Sequence, residues 1–495
     1  MKRFHVAVSA GLTLLLVGCA AGPSSTVADP GANIRDDGPR HYDGVPEVPQ
    51  RITDRLRQYV NTRSASVRGW SPDGSSLFIT TRFGETSQLH RIDQAQGARH
   101  QLSFYDEPVR TVGAPPVAER PLLVGKDIGG NEAYQIYALD PSSGTTRLLT
   151  DGTSRSGGGL WSSNGDRFAY QTTQRNGKDW DIHVQLADGT DKALMTNEGY
   201  WAPLDWSDDD KVLLVLRYLS INESQVWMVD TSTGEKTQLN PRDEPVSYAG
   251  AVFGPGAREI YLVSDEDTEF RKLRRWTLDS GRQEALTGDI SWDVSRLRLS
   301  PDGKTLAFTV NAGGVDVLYL LNLESGERQE VTAPARGRLG GLHFRPDSGA
   351  LVVDLNSALG PGDAWVYDLA SAQWTQWTTS EVGGLDRSRF VEPERITFNS
   401  FDQRKLPAFV YRPKGQEGPT PVVVLIHGGP ESQFRPYFSP LTQYLVGELG
   451  IAVVAPNVRG SAGYGKSSLL LDNGMKREDS VKDIGALLDW IAADP

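Results

Sequence analysis

Val422-Val423-Val424-Leu425-Ile426-His427-Gly428-Gly429-Pro430 decides how the C-terminal part of this chain is to be read. Five consecutive apolar residues predict a fully buried, parallel-type strand over Val422–His427, delivering a histidine and two glycines onto a loop. A second apolar run, Ile451-Ala452-Val453-Val454-Ala455, leads into Arg459-Gly460-Ser461-Ala462-Gly463-Tyr464-Gly465. Around these runs the pattern predicts a hairpin from Arg395–Asp402 and Leu406–Tyr411, a helix over Pro440–Gly450 and a strand over Ile451–Pro456. A last helix, Val481–Ala493, has Ile484, Leu487, Leu488 and Ile491 on one side. The order β-β-β-α-β-α opens an α/β domain.

The loop has a chemical reading. Glycines let the backbone approach a substrate carbonyl, so that a main-chain N–H can point at the oxyanion formed on attack. Gly428 and Gly429 are the candidate donors, and a second donor should follow a nucleophile. His427 reads as a residue that orients the loop rather than as a general base. Alone, His427-Gly428-Gly429-Pro430 could equally be a tight strand-to-helix turn. The second loop, placed after the second strand, moves the reading toward catalysis.

Working toward the N-terminus, the chain repeats itself from Gly69 to about Ser380. Trp70, Ala114, Trp161, Trp206, Phe253, Leu299 and Phe344 each precede a Pro-, Asp- or Gly-rich turn, at spacings of 44, 47, 45, 47, 46 and 45 residues. An apolar strand such as Leu77-Phe78-Ile79 or Leu306-Ala307-Phe308 follows the turn. Seven four-stranded units at this period predict a seven-bladed β-propeller. The large anchor residues fill the layer between blades, so Trp70, Trp161 and Trp206 read as packing residues rather than a ligand cage. Upstream, Ile52, Leu56, Tyr59 and Val60 lie on one face of a short helix.

The start of the chain carries an address. Lys2 and Arg3 precede the apolar stretch Ala7–Val17, which is too short to span a bilayer, and Leu16-Val17-Gly18-Cys19 resembles a bacterial lipobox. We read 1–18 as a removed signal peptide and 19–45 as a lipidated N-terminus and flexible tether. Cys19 would be the anchor of a periplasm-facing envelope lipoprotein, with Ala20 favouring the outer membrane. An ordinary secretory signal containing a cysteine is the alternative. Residues 46–388 would form the propeller, and 389–495 the incomplete N-terminal part of a hydrolase domain.

Composition narrows the partners. The 495 residues carry a net charge of −12 and no basic cluster, which argues against nucleic acid. With Cys19 as the sole cysteine, no internal disulfide or thiolate metal site is available. The acidic runs Asp208–Asp210 and Asp265–Glu269 lack the alternating spacing of a calcium loop, so no metal or cofactor is expected. Contact with a membrane is expected through the lipid only, and oligomeric state is left open.

The propeller together with His-Gly-Gly-Pro and Arg-Gly-Ser-x-Gly-Tyr-Gly resembles the prolyl oligopeptidase (S9) family of serine peptidases, nearest its acylaminoacyl-peptidase-like branch. The resemblance covers about 46–495. It implies a mixed fold, a seven-bladed β-propeller followed by an α/β-hydrolase domain. A Ser-Asp-His triad would cleave short peptides while the propeller restricts access. The family's nucleophile sits in a Gly-x-Ser-x-Gly-Gly elbow, which occurs nowhere in the 495 residues, and no histidine follows His427. The elbow is expected about ten residues past Pro495. Ser461, with no partner base nearby in sequence, is not expected to attack, while Pro430, Arg459, Gly460, Gly463, Tyr464 and Gly465 are structural members of the motifs. The chain as given is therefore expected to be inactive, its hydrolase domain poorly ordered around an open edge at Val422–His427. Two rivals stand beside this: a non-catalytic propeller lipoprotein that binds an envelope partner, and an esterase of the same fold.

Overall fold

The computed structural model describes residues 34–429 and 431–494. Cys19, the signal segment and Pro430 lie outside the described residues. Two compact units are resolved, one ending at Asp54 and one beginning at Arg55.

The first unit departs from the expected tether. Arg35–Asp37 pairs antiparallel with Arg40–Tyr42 through a tight turn in which Gly38 has φ +58°. Helix α1 (Gln50–Val60) crosses into the second unit. Of its expected apolar face, Tyr59 is buried, whereas Val60 is 48% exposed.

The second unit opens with seven successive four-stranded antiparallel sheets, spanning Ser66–Gln101, Thr111–Leu148, Ser156–Met195, Tyr200–Leu239, Tyr248–Ala285, Asp293–Val331 and Arg338–Gln376. Six of the seven repeat anchors are the final residue of the first strand in their sheet, and Ala114 lies one residue beyond. The period in the sequence is thus the period of the sheets. Adjacent sheets bury the anchors between them: Trp206 packs with Ala169 and Ile182 of the preceding sheet, and its indole N–H donates to Leu160 O at 3.1 Å. Trp70 packs with Val352 and Val366 of the seventh sheet and donates to His343 O at 3.3 Å. First and last sheets are therefore neighbours, although about 240 residues separate them.

A mixed sheet follows, in the order Glu394–Asn399, Lys405–Tyr411, Ala452–Pro456, Val422–Val424. Ala452–Pro456 pairs antiparallel with Lys405–Tyr411 on one side and parallel with Val422–Val424 on the other. It is buried throughout. The expected fully buried strand Val422–His427 is shorter and more open: Val422 is 39% and Ile426 56% exposed. The physical reason is its place at the sheet edge, where one side has no partner strand among the described residues.

Helix α2 (Pro440–Glu448) is capped by Ser439, whose Oγ accepts the Thr442 N–H. Helix α3 (Arg477–Ala493) begins four residues earlier than the apolar pattern suggested. Leu487 is buried as expected, but Leu488 is 52% exposed. The stripe is rotated by Asp483, which is fully buried on the inner side. Among the described residues no helix is long and apolar enough to cross a membrane, and no group of three or more side chains is placed to hold a metal ion.

Candidate active site

After the strand ladder ends at Leu425, whose N–H donates to Val454 O at 2.8 Å, the chain turns out of the sheet into His427-Gly428-Gly429. His427 is half-buried and both glycines are exposed. Gly429 has φ +140°, and a Cβ there would lie 2.7 Å from Ser432 N. Glycine is thus required for this turn. Neither the Gly428 nor the Gly429 N–H donates a hydrogen bond within the described residues. A Cβ on Gly428 would meet nothing within 4 Å.

The structure brings His427 to Ser461. His427 Nε2 and Ser461 Oγ are 3.0 Å apart, while His427 Nδ1 faces the carbonyl of its own neighbour, Gly428 O, at 3.1 Å. Ser461 is 1% exposed, and no carboxylate contacts the imidazole among the described residues. The Nε2–Oγ contact links the first loop to the second.

Behind the loop stands a charged clamp. Arg459 Nε and Nη2 reach Asp483 at 2.8–3.1 Å, and Nη2 also reaches Asp402 at 3.0 Å. The Arg459 backbone N–H donates to Asp483 Oδ2 at 3.0 Å. Hydrogen bonds donated to Asp483 and Asp402 raise the Arg459 pKa above its ordinary value, and the bond from Arg459 holds Asp402 below the usual carboxylate range. The guanidinium lies over the Phe401 ring at 4.5 Å.

The remainder of the second loop ties the two apolar strands to the seven-sheet array. Ala462 N–H donates to Ser432 O at 3.0 Å. Asn457 Oδ1 accepts Phe434 N–H at 2.7 Å, and its Nδ2 donates to Tyr464 OH at 2.8 Å. Burial pushes the Tyr464 hydroxyl up from its ordinary pKa, and its ring meets Trp292 edge-on at 6.2 Å. Gly463, at φ +86°, passes so close that a Cβ would lie 2.6 Å from Asn311 Nδ2. Gly460 and Gly465 likewise leave no room for a side chain, against Asp472 and Glu269. Lys466 N–H donates to Glu269 O at 2.8 Å. From the first loop, Gln433 Oε1 accepts from Asn311 at 2.8 Å and Arg435 lies 2.7 Å from Asp316.

All the motif residues with described positions therefore converge on one place. Sequence reasoning missed Asp483, Asp402, Asn457, Gln433, Asn311 and Arg435. Asp483 alone left a sequence signal: it falls four residues before Leu487, inside the buried stripe of a helix.

No family model matches the chain. It is 24% identical over 436 residues to dipeptidyl aminopeptidase BIII of Pseudoxanthomonas mexicana, covering 74% of this chain and 55% of that protein. Dipeptidyl-peptidase 5 of Porphyromonas gingivalis is 21% identical over 414 residues, covering 76% of this chain and 56% of the other. The chain thus spans a little over half the length of these curated relatives. A solved prolyl endopeptidase superposes with a TM-score of 0.78 at 15% identity, over 90% of this chain and 68% of that one. The repeated four-stranded sheets match the propeller domain of prolyl oligopeptidases, and the relatives found by sequence are peptidases of the same group. Curated relatives and structural neighbours together support a peptidase of the prolyl oligopeptidase (S9) family.

Proposed function

We propose that this chain carries the propeller and the oxyanion-binding side of a serine peptidase that hydrolyses short peptides. In this reading the seven sheets are the blades of a closed propeller within 46–388, and the α/β-hydrolase domain begins near 389. The observation that carries it is the pair of unengaged glycine amides at the end of a parallel strand, braced by His427–Ser461 and anchored by Arg459. When a serine attacks a peptide carbonyl, negative charge gathers on its oxygen. Amides fixed beforehand stabilise that charge more than they stabilise the neutral carbonyl, and one such donor contributes roughly 10²–10³-fold in rate.

The attacking serine, its base and its acid are not assigned to any of residues 1–495, and we infer that these residues alone are inactive. A fluorophosphonate probe on the 495-residue protein is expected to give no labelling. Labelling of Ser461 or any other single residue would overturn the inference. A longer product of the same gene containing a Gly-x-Ser-x-Gly elbow should be labelled at that serine and should cleave aminoacyl-peptide substrates. A strong preference for esters would move the assignment to esterase.

We further propose Cys19 as the lipid attachment site of an envelope lipoprotein, on the strength of the Leu16–Cys19 motif after a basic and apolar leader. Metabolic labelling with palmitate should mark the protein and be lost in Cys19→Ser; equal labelling of both would refute it.

A further inference from the structure

Two cavities lie where the first strands of the seven sheets meet. One, of about 640 Å³, is bordered by Trp70, Trp161 and Trp206. The second, of about 430 Å³, is lined by Arg68, Arg296, Arg338 and one carboxyl, Asp354. Arg68, Val112 and His343 border both. The smaller cavity borders the chain that leads into helix α2: Asn356 on its wall accepts the Phe438 N–H at 2.9 Å.

Charge in this smaller space is unbalanced. Arg338 makes no side-chain hydrogen bond or ion pair among the described residues. Arg296 donates only to Leu339 O, at 3.2 Å, and Arg68 only to Thr80 Oγ1, at 2.9 Å. Asp354 accepts the Val67 N–H at 3.1 Å, and burial pushes its carboxyl above the usual range despite three nearby arginines. Burial, then the charges of Arg435 and Arg296, lower the Arg338 pKa, with Asp316 and Asp354 opposing. Arg435 is already matched by Asp316. His343 is held down to about 3 by burial, so it stays neutral. Three guanidinium groups thus share one space with one reluctant carboxylate, in a molecule whose net charge is −12. Arg296 and Arg338 are exposed and Arg68 is half-buried; like charges crowded on one cavity wall still repel, and an incoming anion relieves that repulsion.

We propose that this cavity binds peptide carboxylates, so that, given the peptidase reading above, acidic or free-C-terminal short peptides are the favoured substrates. Guanidinium forks pair with carboxylates through two parallel hydrogen bonds, a geometry an ammonium does not offer.

Calorimetric titration of the 495-residue protein tests this without catalysis. The probes are Ala-Glu-Glu-Ala and Ala-Gln-Gln-Ala, each as free acid and as C-terminal amide, which separates side-chain from terminal carboxylates. The acidic free acid should bind at least about tenfold more tightly than the neutral amide, with the advantage shrinking as salt rises. Arg296→Gln with Arg338→Gln should abolish the preference. Should that double variant misfold, Arg338→Gln, which breaks no described side-chain bond, should still cut it severalfold. Equal affinity for all four peptides, no binding of any, or an undiminished preference in the folded variants would each overturn the proposal. Failure here leaves the peptidase reading standing, because that reading is judged by probe labelling.

Discussion

Arg459 holds its loop through carboxylates that lie far from it in sequence. Its side chain is 5% and that of Asp483 0% exposed. Replacing Arg459 with leucine would strand a buried carboxylate, which costs about 3 to 5 kcal/mol. Urea titration should show a loss of that order, and Asp402→Asn, acting on the exposed partner, a much smaller one. Asp205 gives a pH test. It is half-buried on the wall of a cavity, and desolvation raises its pKa to about 6, although it accepts the Phe253 N–H. The folded state therefore holds this proton more tightly than the unfolded chain does. Its contribution is fully present below the unfolded value, near 4, and is lost as pH rises through about 6. Asp205→Asn keeps an acceptor and removes the titration. Relative to the parent, it should gain about 3 kcal/mol of stability between pH 4 and pH 7, the equivalent of two pKa units. A pH-independent difference would refute the assignment.

At the scale of elements, the contrast between two neighbouring strands is the informative one. Both are valine-rich, yet Ala452–Pro456 is buried end to end while Val422–Val424 is exposed or half-buried. In the 495-residue protein, amides of Val422–Val424 should exchange with solvent on the order of tenfold or more faster than those of Val453–Ala455. Equal protection would mean that something covers this edge. Sequence alone made both strands look alike, because an unbroken apolar run reports only that burial suits it. Whether burial is achieved depends on which strands flank it. Leu488 teaches the same lesson in a helix: the 3.6-residue period located the stripe of α3, but Asp483, turned inward to meet Arg459, rotated it.

Across the whole second unit, the site depends on how the C-terminal sheet meets the seven-sheet array. Asp316 is 2% exposed in its side chain; Arg435 stands 2.7 Å from its Oδ1 while its Oδ2 accepts the Leu339 N–H at 2.9 Å. Arg435→Ala would leave this carboxylate buried with a backbone partner only, and about 3 kcal/mol should be lost. The loss should fall on the junction, so scanning calorimetry should resolve two transitions in place of one. A single transition at an unchanged temperature would refute it.

The amino-acid order by itself determined the repeat, its period, the residues that end each first strand, and the two glycine-bearing loops. Those features arise locally, from turn chemistry, from alternation in short strands, and from glycines that no other residue can replace. It left undetermined the partners that hold the loops: Asp483 lies 24 residues from Arg459, Asn311 122 from Gln433, and Asp316 119 from Arg435. Pairings across such distances have no local signature, because a buried charge is tolerated only where folding brings its opposite to it. The same holds for the arginine-lined cavity, whose members come from the first, sixth and seventh sheets and share one space only because the first sheet packs against the last.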